Sequence, residues 1–207
     1  MSKTTVSEKA GRASPLSVED RQDMILDAIT PLLLEHGQAV TTRQIAECAG
    51  IAEGTIFRAF GTKEELINAA VERRLDPEPF RAGLREVDLD MPLEERIRTI
   101  VALLQERFTL VFNLMMALGR RGGPPPQEER REFGEIMARA LAPDLERLSV
   151  SPERAAQVIR MVTLAASVPH LNDAEISTDE ITSIILYGIA GRPAETTISV
   201  STDSPTN

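Results

Sequence analysis

The sequence predicts an all-α fold of about nine helices, divided into a small N-terminal domain and a larger C-terminal helical bundle. Three observations carry that expectation. Aromatic residues make up only 3% of the chain. Glycines and prolines fall in clusters, and between the clusters apolar residues return every three or four positions, the period of a helix that buries one face. Finally, 42% of the 207 residues are hydrophobic, enough to fill a core without covalent staples.

Each element has its own signal. Val18 to His36 reads as the first helix, burying Met24, Ile25, Ala28, Ile29, Leu32 and Leu33 and stopped by Gly37; Pro31 within it is expected to bend it. Thr41-Thr42-Arg43-Gln44 forms a capping box, in which threonine and glutamine satisfy opposite orphan amides, and opens a short helix over residues 42–49. Gly50 turns the chain into a third helix from Glu53 to about Phe60. Thr62-Lys63-Glu64-Glu65 repeats the box before a fourth helix with Leu66, Ile67, Ala70 and Val71 on one face. Asp76-Pro77-Glu78-Pro79 breaks the pattern near Leu75, so the domain boundary is expected there.

Beyond the boundary the spacing predicts a short helix from Phe80 to Val87 and a long one from Pro92 to Leu118. Residues 119–126 form a loop. A helix follows from Gln127 to about Leu148, kinked at Pro143, then one from the Ser151 cap to near Val168, and a last one from Ser177 or Thr178 to Ile189. The expected divisions are a disordered arm over 1–16, domains over 17–76 and 77–191, and a Ser/Thr-rich disordered tail over 192–207.

Composition narrows the function classes. One cysteine, Cys48, excludes an intramolecular disulfide framework and reads as a small buried side chain. No apolar stretch reaches the roughly 18 residues needed to span a bilayer, and the N-terminus lacks the apolar centre of a secretory signal. A soluble, cytoplasmic protein with no membrane partner is the expectation. His36 and His170 stand at no metal-ligand spacing to another His or Cys, and no P-loop, nucleophile elbow or HExxH run occurs. Neither an enzyme, nor a cofactor, nor a metal site is therefore expected. Glu128, Glu129, Glu132 and Glu135 have helical spacing and read as a solvated face rather than a carboxylate metal site.

The net charge of -9 weakens non-specific attraction to nucleic acid, but its distribution matters more than its sum. Residues 1–75 hold nine Lys/Arg against eleven Asp/Glu, and residues 76–207 hold fourteen against twenty-one, so the acidity sits mainly in the second part. Residues 41–60 read TTRQIAECAGIAEGTIFRAF: helix, glycine turn, second helix. Ile45, Ala46 and Ala49 face Ile51, Ile56 and the first helix, and the small alanines permit a steep, close crossing. Glu53, Gly54 and Thr55 stand where a recognition helix offers its N-terminal end to base edges.

The run IAECAGIAEGTIFRAF, followed by Lys63 and Glu64, closely resembles the DNA-binding segment of the TetR family, whose usual form is nearer IAxxAGVSxGTLYxHFxxKExL. The resemblance covers roughly Met24 to Val71. It implies a three-helix helix-turn-helix domain in which Thr42 and Arg43 meet phosphates or a base edge, Gly54 and Thr55 enter the major groove, and Lys63 clamps the backbone. Three departures stand out: Phe57 where tyrosine is common, Ala59 for histidine, and Ala52 for a serine cap. Arg58 supplies a compensating contact to phosphate or to guanine. Each residue also has a plainer role: Thr42 and Thr62 as caps, Arg43 and Arg58 as solvated charges, Phe57 as packing.

The resemblance further implies a ligand-released repressor that binds a palindromic double-stranded DNA operator as a homodimer, with the second domain serving ligand binding and dimerisation. The last two helices resemble the family's dimer pair, with Ala155, Ile159, Val162, Ala166, Ile181, Ile184, Ile185 and Gly188 as interface candidates or, alternatively, as completion of the monomer core. Phe108, Phe112, Met115, Met116, Phe133, Met137 and Met161 gather soft or aromatic side chains that suit either a pocket for a small, lipophilic effector or an ordinary core. An interaction protein that has lost DNA binding is the rival reading, and a salt-dependent, sequence-specific DNA complex separates the two.

Overall fold

The computed structural model describes residues 17–120, 127–169, 172 and 174–188. The expected arm, most of the 119–126 loop and the tail lie outside these residues. Among those described, nine α-helices follow one another: α1 (Val18–His36), α2 (Thr42–Ala49), α3 (Glu53–Phe60), α4 (Lys63–Leu75), α5 (Glu78–Arg85), α6 (Leu93–Ala117), α7 (Gln127–Leu141), α8 (Pro152–Ser167) and α9 (Thr178–Tyr187). The fold is all-α. It divides into two compact units, one of residues 1–76 with 113–122, the other of 77–112 with 123–207.

In the first unit α1 packs on α2, α3 and α4. Ile25, Ile29, Leu33, Ile45, Ile56 and Leu66 are fully buried there, each worth about 1.5–3 kcal/mol of burial. α1 continues through Pro31 as one helix. The end of α6 completes this unit: Leu114 and Leu118 belong to its core. Gly37, at φ 56°, lies against that segment so closely that a Cβ would stand 2.0 Å from the Ala117 carbonyl oxygen. Gln38 Nε2 donates to the Leu118 carbonyl at 2.6 Å, and Arg120 donates to Asn68 Oδ1 at 2.6 Å. A cut at Asp76 therefore does not separate the units. Periodicity reveals that α6 has an apolar stripe but not which core each part of the stripe enters.

The second unit packs α7 against α5 and α8, and α8 against α9. Its core holds Leu84, Leu93, Ile97, Ile100, Val101, Leu104, Met137, Leu141, Ile159 and Ile181. α5 starts at Glu78, two residues before the expected Phe80, because Pro79 falls in the first turn, where a missing N–H costs nothing. α7 ends at Leu141, not near Leu148; a 3-10 turn over Ala142–Arg147 replaces the expected kinked helix, with Asp144 at φ -121°, ψ 28°. Pro143 removes a donor from that turn. The Asp144 carboxylate meanwhile accepts from Arg96, a side chain 1% exposed that also donates to the Leu89 carbonyl. Arg147 bridges Asp144 at 3.3 Å and Glu94 at 2.6 Å.

α6 is 25 residues long, with an 18-residue window of mean hydropathy 1.4, so by length and composition it is able to cross a membrane. The expectation that no stretch is long and apolar enough therefore does not hold for α6, although Glu106 and Arg107 interrupt its apolar run. Ile97, Ile100, Val101, Leu104 and Leu114 are instead at most 2% exposed within the protein.

Candidate nucleic-acid interface and ligand cavity

The helix-turn-helix is built from its caps outward. Thr41 Oγ1 accepts from the Gln44 amide at 3.2 Å, and Gln44 Oε1 accepts from the Thr41 amide at 2.8 Å. These bonds fix the start of α2. Gly50 ends it at φ 66°, ψ 32°, a left-handed conformation that glycine adopts without a Cβ clash, and the Ile51 amide returns to the Ala46 carbonyl at 3.0 Å. Ala52 holds the cap position before α3 and offers no side-chain cap.

α3 buries Ile56 completely and turns Glu53, Gly54, Phe57 and Arg58 outward along one face. A Cβ at Gly54 would meet nothing within 4 Å, so the protein's own packing does not require glycine there. Phe57 is 47% exposed, which removes the core-packing alternative. The Thr42 hydroxyl donates to the Glu53 carboxylate and joins the first turns of the two helices. Arg43 rests on Glu47 at 2.9 Å, and Glu47 raises the guanidinium pKa through that hydrogen bond and its charge. Arg58 Nε donates to the Gly54 carbonyl at 3.2 Å, and its terminal nitrogen lies 3.5 Å from Thr55 Oγ1. Lys63 Nζ donates to the Gln38 carbonyl at 2.9 Å. All eight sequence-expected residues thus fall on α2, α3 or the start of α4. The three cations are held by local acceptors at exposed or half-exposed positions.

Cys48 is exposed, not buried as expected. The inward face of α2 carries Ile45 and Ala46, and Cys48 lies off it with Sγ 3.6 Å from the Ala28 carbonyl oxygen.

Within the second unit a cavity of about 550 Å³ lies among α5, α6, α7 and α8, a volume typical of small-molecule sites. Phe80, Leu104, Phe108, Val111, Phe133 and Leu164 form its apolar lining. Phe80 and Phe133 stack with centroids 6.5 Å apart and planes 14° from parallel. Arg81, Arg107, Arg130, Arg160 and Glu129 supply the charged part. Of the seven residues expected to form a pocket, only Phe108 and Phe133 line this one. Phe112 does not, and Met115 packs against the first unit's core. Met116 and Met161 are 53% and 59% exposed, while Met137 is fully buried in the second unit's core. A methionine's softness suits all three settings, so residue type alone does not distinguish them.

The arginines escaped sequence reasoning because they come from four helices. Their only linear trace is the Phe-Arg adjacency at 80–81 and 107–108. The acidic run on α7 is likewise not simply a solvated face: Glu129 and Glu132 pair with Arg81 at 3.6 and 3.1 Å, and Arg85 also binds Glu132. Among the described residues no His/Cys/Asp/Glu group has the geometry to hold a metal.

The interface candidates on α8 and α9 divide as well. Ala155, Ile159 and Ile181 are buried in the core of the second unit, where α8 packs on both α7 and α9. Val162, Ala166 and Ile185 are half-buried against that core, whereas Ile184 and Gly188 are exposed. Val158, 40% exposed and also on the apolar face that the sequence offers, lies on the outward side of α8 with Ala165.

A glycine-turned helix pair whose second helix presents Glu53, Gly54, Phe57 and Arg58 outward, flanked by Arg43 and Lys63, has the form of a helix-turn-helix motif. Residues 25–70 match the sequence model described as bacterial regulatory proteins, tetR family. An HTH-type transcriptional repressor of Mycobacterium tuberculosis is 33% identical over 122 residues, 53% of this chain and 65% of that protein. The nucleoid occlusion factor SlmA of Haemophilus ducreyi is 39% identical over 59 residues, 28% of this chain and 29% of its own. The chain thus spans less than two thirds of the length of the curated relatives it matches. A TetR/AcrR-family regulator from Thermobifida fusca has a TM-score of 0.53 at 26% identity, covering 82% of this chain and 98% of the other. Residues 25–70 thus carry the helix-turn-helix segment of the TetR family of transcriptional regulators, and the fold is similar to that of a TetR/AcrR-family regulator.

Proposed function

We propose that the protein is a cytoplasmic transcriptional repressor that binds a palindromic operator as a homodimer and lets go of it when a small molecule occupies the second unit. The outward face of α3 carries this reading: Glu53, Gly54, Phe57 and Arg58 face away from the core, and no internal contact accounts for glycine at 54. Gly54 allows close approach to a base edge, Arg58 is long enough to leave Thr55 for guanine or phosphate, and Lys63 leaves the Gln38 carbonyl for the backbone. The apolar outward side of α8 and α9, with Val158 and Ile184 each 40% exposed, supports self-association. Occupancy of the cavity favours a dimer whose two recognition helices no longer match the groove spacing.

Selection of bound duplexes from a random pool tests the reading. The wild type is expected to enrich a two-fold symmetric site, Lys63→Ala to weaken all sequences alike and lower the salt slope by about one, and Arg58→Ala to relax one position per half-site. A pool that remains random at moderate salt refutes DNA recognition.

A further inference from the structure

We infer that the cavity of the second unit takes an amphiphilic anion, a carboxylate carried on an apolar body; this rests on the reading of that unit as the effector-binding one. Its lining pairs an aromatic and aliphatic wall with four arginines and a single glutamate. That glutamate, Glu129, is already matched to Arg81, which also holds Glu132. Arg107 and Arg130 are engaged in contacts of their own, so the charge that the lining leaves open to a guest is that of Arg160. Arg160 on α8 makes no hydrogen bond or ion pair with any described residue. A neutral lipophilic guest would leave this charge uncompensated beside an apolar body, and a cationic guest would be repelled. An anion gains charge-assisted hydrogen bonds from a guanidinium while its apolar part is covered by Phe80, Phe108, Val111 and Phe133. This adds an anionic head to the lipophilic effector expected from the sequence.

Arg160 and Leu164, one turn apart on α8, point to this cavity, whereas Val158, Val162 and Ala165 lie on another side of the helix. Ligand binding and self-association thus draw on different residues of α8 and are separable by mutation.

Calorimetric titration of the full-length protein with decanoate, 1-decanol and decylammonium provides the test, with operator retention measured in parallel. Decanoate is expected to bind at least about tenfold more tightly than the other two. Arg160→Gln should lower decanoate affinity by about tenfold without changing decanol binding, and Val111→Trp, which fills the apolar part, should weaken both. Equal binding of acid and alcohol, no decanoate binding, or an unchanged affinity in either variant overturns the inference. If decanoate binds through Arg160 yet the operator is retained, the anion site stands and effector release falls. If the operator is released by a ligand that ignores Arg160, release stands and the anion site falls.

Discussion

At the scale of single residues, Gly37 and Ala52 make opposite demands. Gly37 combines a positive φ with a backbone oxygen where a Cβ would go, and that oxygen belongs to main chain that has no rotamer to yield. Gly37→Ala is expected to destabilise the first unit by roughly 2 kcal/mol or more in a urea melt; a smaller loss would mean that the α6 end shifts freely. Ala52 is the reverse case, a cap position with no oxygen to offer. Ala52→Ser should stabilise the first unit by about 1 kcal/mol, and an unchanged melt would show that the first-turn amides of α3 are already satisfied. The placement of the candidate face was legible in α2 and α3 because a contiguous stretch supplies the whole of it. The cavity was illegible, because Arg81, Arg107, Arg130 and Arg160 come together only after four helices have packed.

Among elements, helix starts were the most readable feature. Thr41, Thr62, Ser151 and Ser177 all cap as their sequence contexts dictate, three of them with reciprocal boxes. Helix ends governed by tertiary contacts were not: the end of α7 depends on Arg96 reaching Asp144 across 48 positions of sequence. Removing one partner of that buried pair leaves the other charge uncompensated, so Asp144→Ala should cost the second unit about 3–5 kcal/mol by denaturant melt, and a near-neutral change would mean that water reaches Arg96. The start of α9 carries a pH signature. The Ser177 hydroxyl, then the Ser177 amide, hold the Glu180 carboxyl below its ordinary range. A depressed folded pKa contributes stability that is complete above the unfolded glutamate's titration and is lost as pH falls through the lower, folded value. Ellipticity and self-association measured across that acid window should decline less steeply in Glu180→Gln than in the wild type; superimposable profiles would place the acid sensitivity elsewhere.

At the scale of the whole molecule, the two-part architecture was legible from composition, but the ownership of α6 was not. Leu114 and Leu118, each 1% exposed, finish the core of the first unit although they follow its fourth helix by some forty positions. A fragment ending at Asp76 loses two buried leucines worth about 1.5–3 kcal/mol each, and should melt with reduced cooperativity and bind a hydrophobic dye. A sharp, native-like transition in that fragment would contradict the assignment of residues 113–122. The same arrangement bears on synthesis. A chain emerging from a ribosome reaches Asp76 with every DNA-facing helix made and the core beneath them still open. At ~5–20 residues per second the stretch from 77 to 118 takes about 2–8 s to add. During that interval the nascent segment has an unsealed apolar surface, so a chaperone that engages early chains should be found on it until residue 118 has emerged.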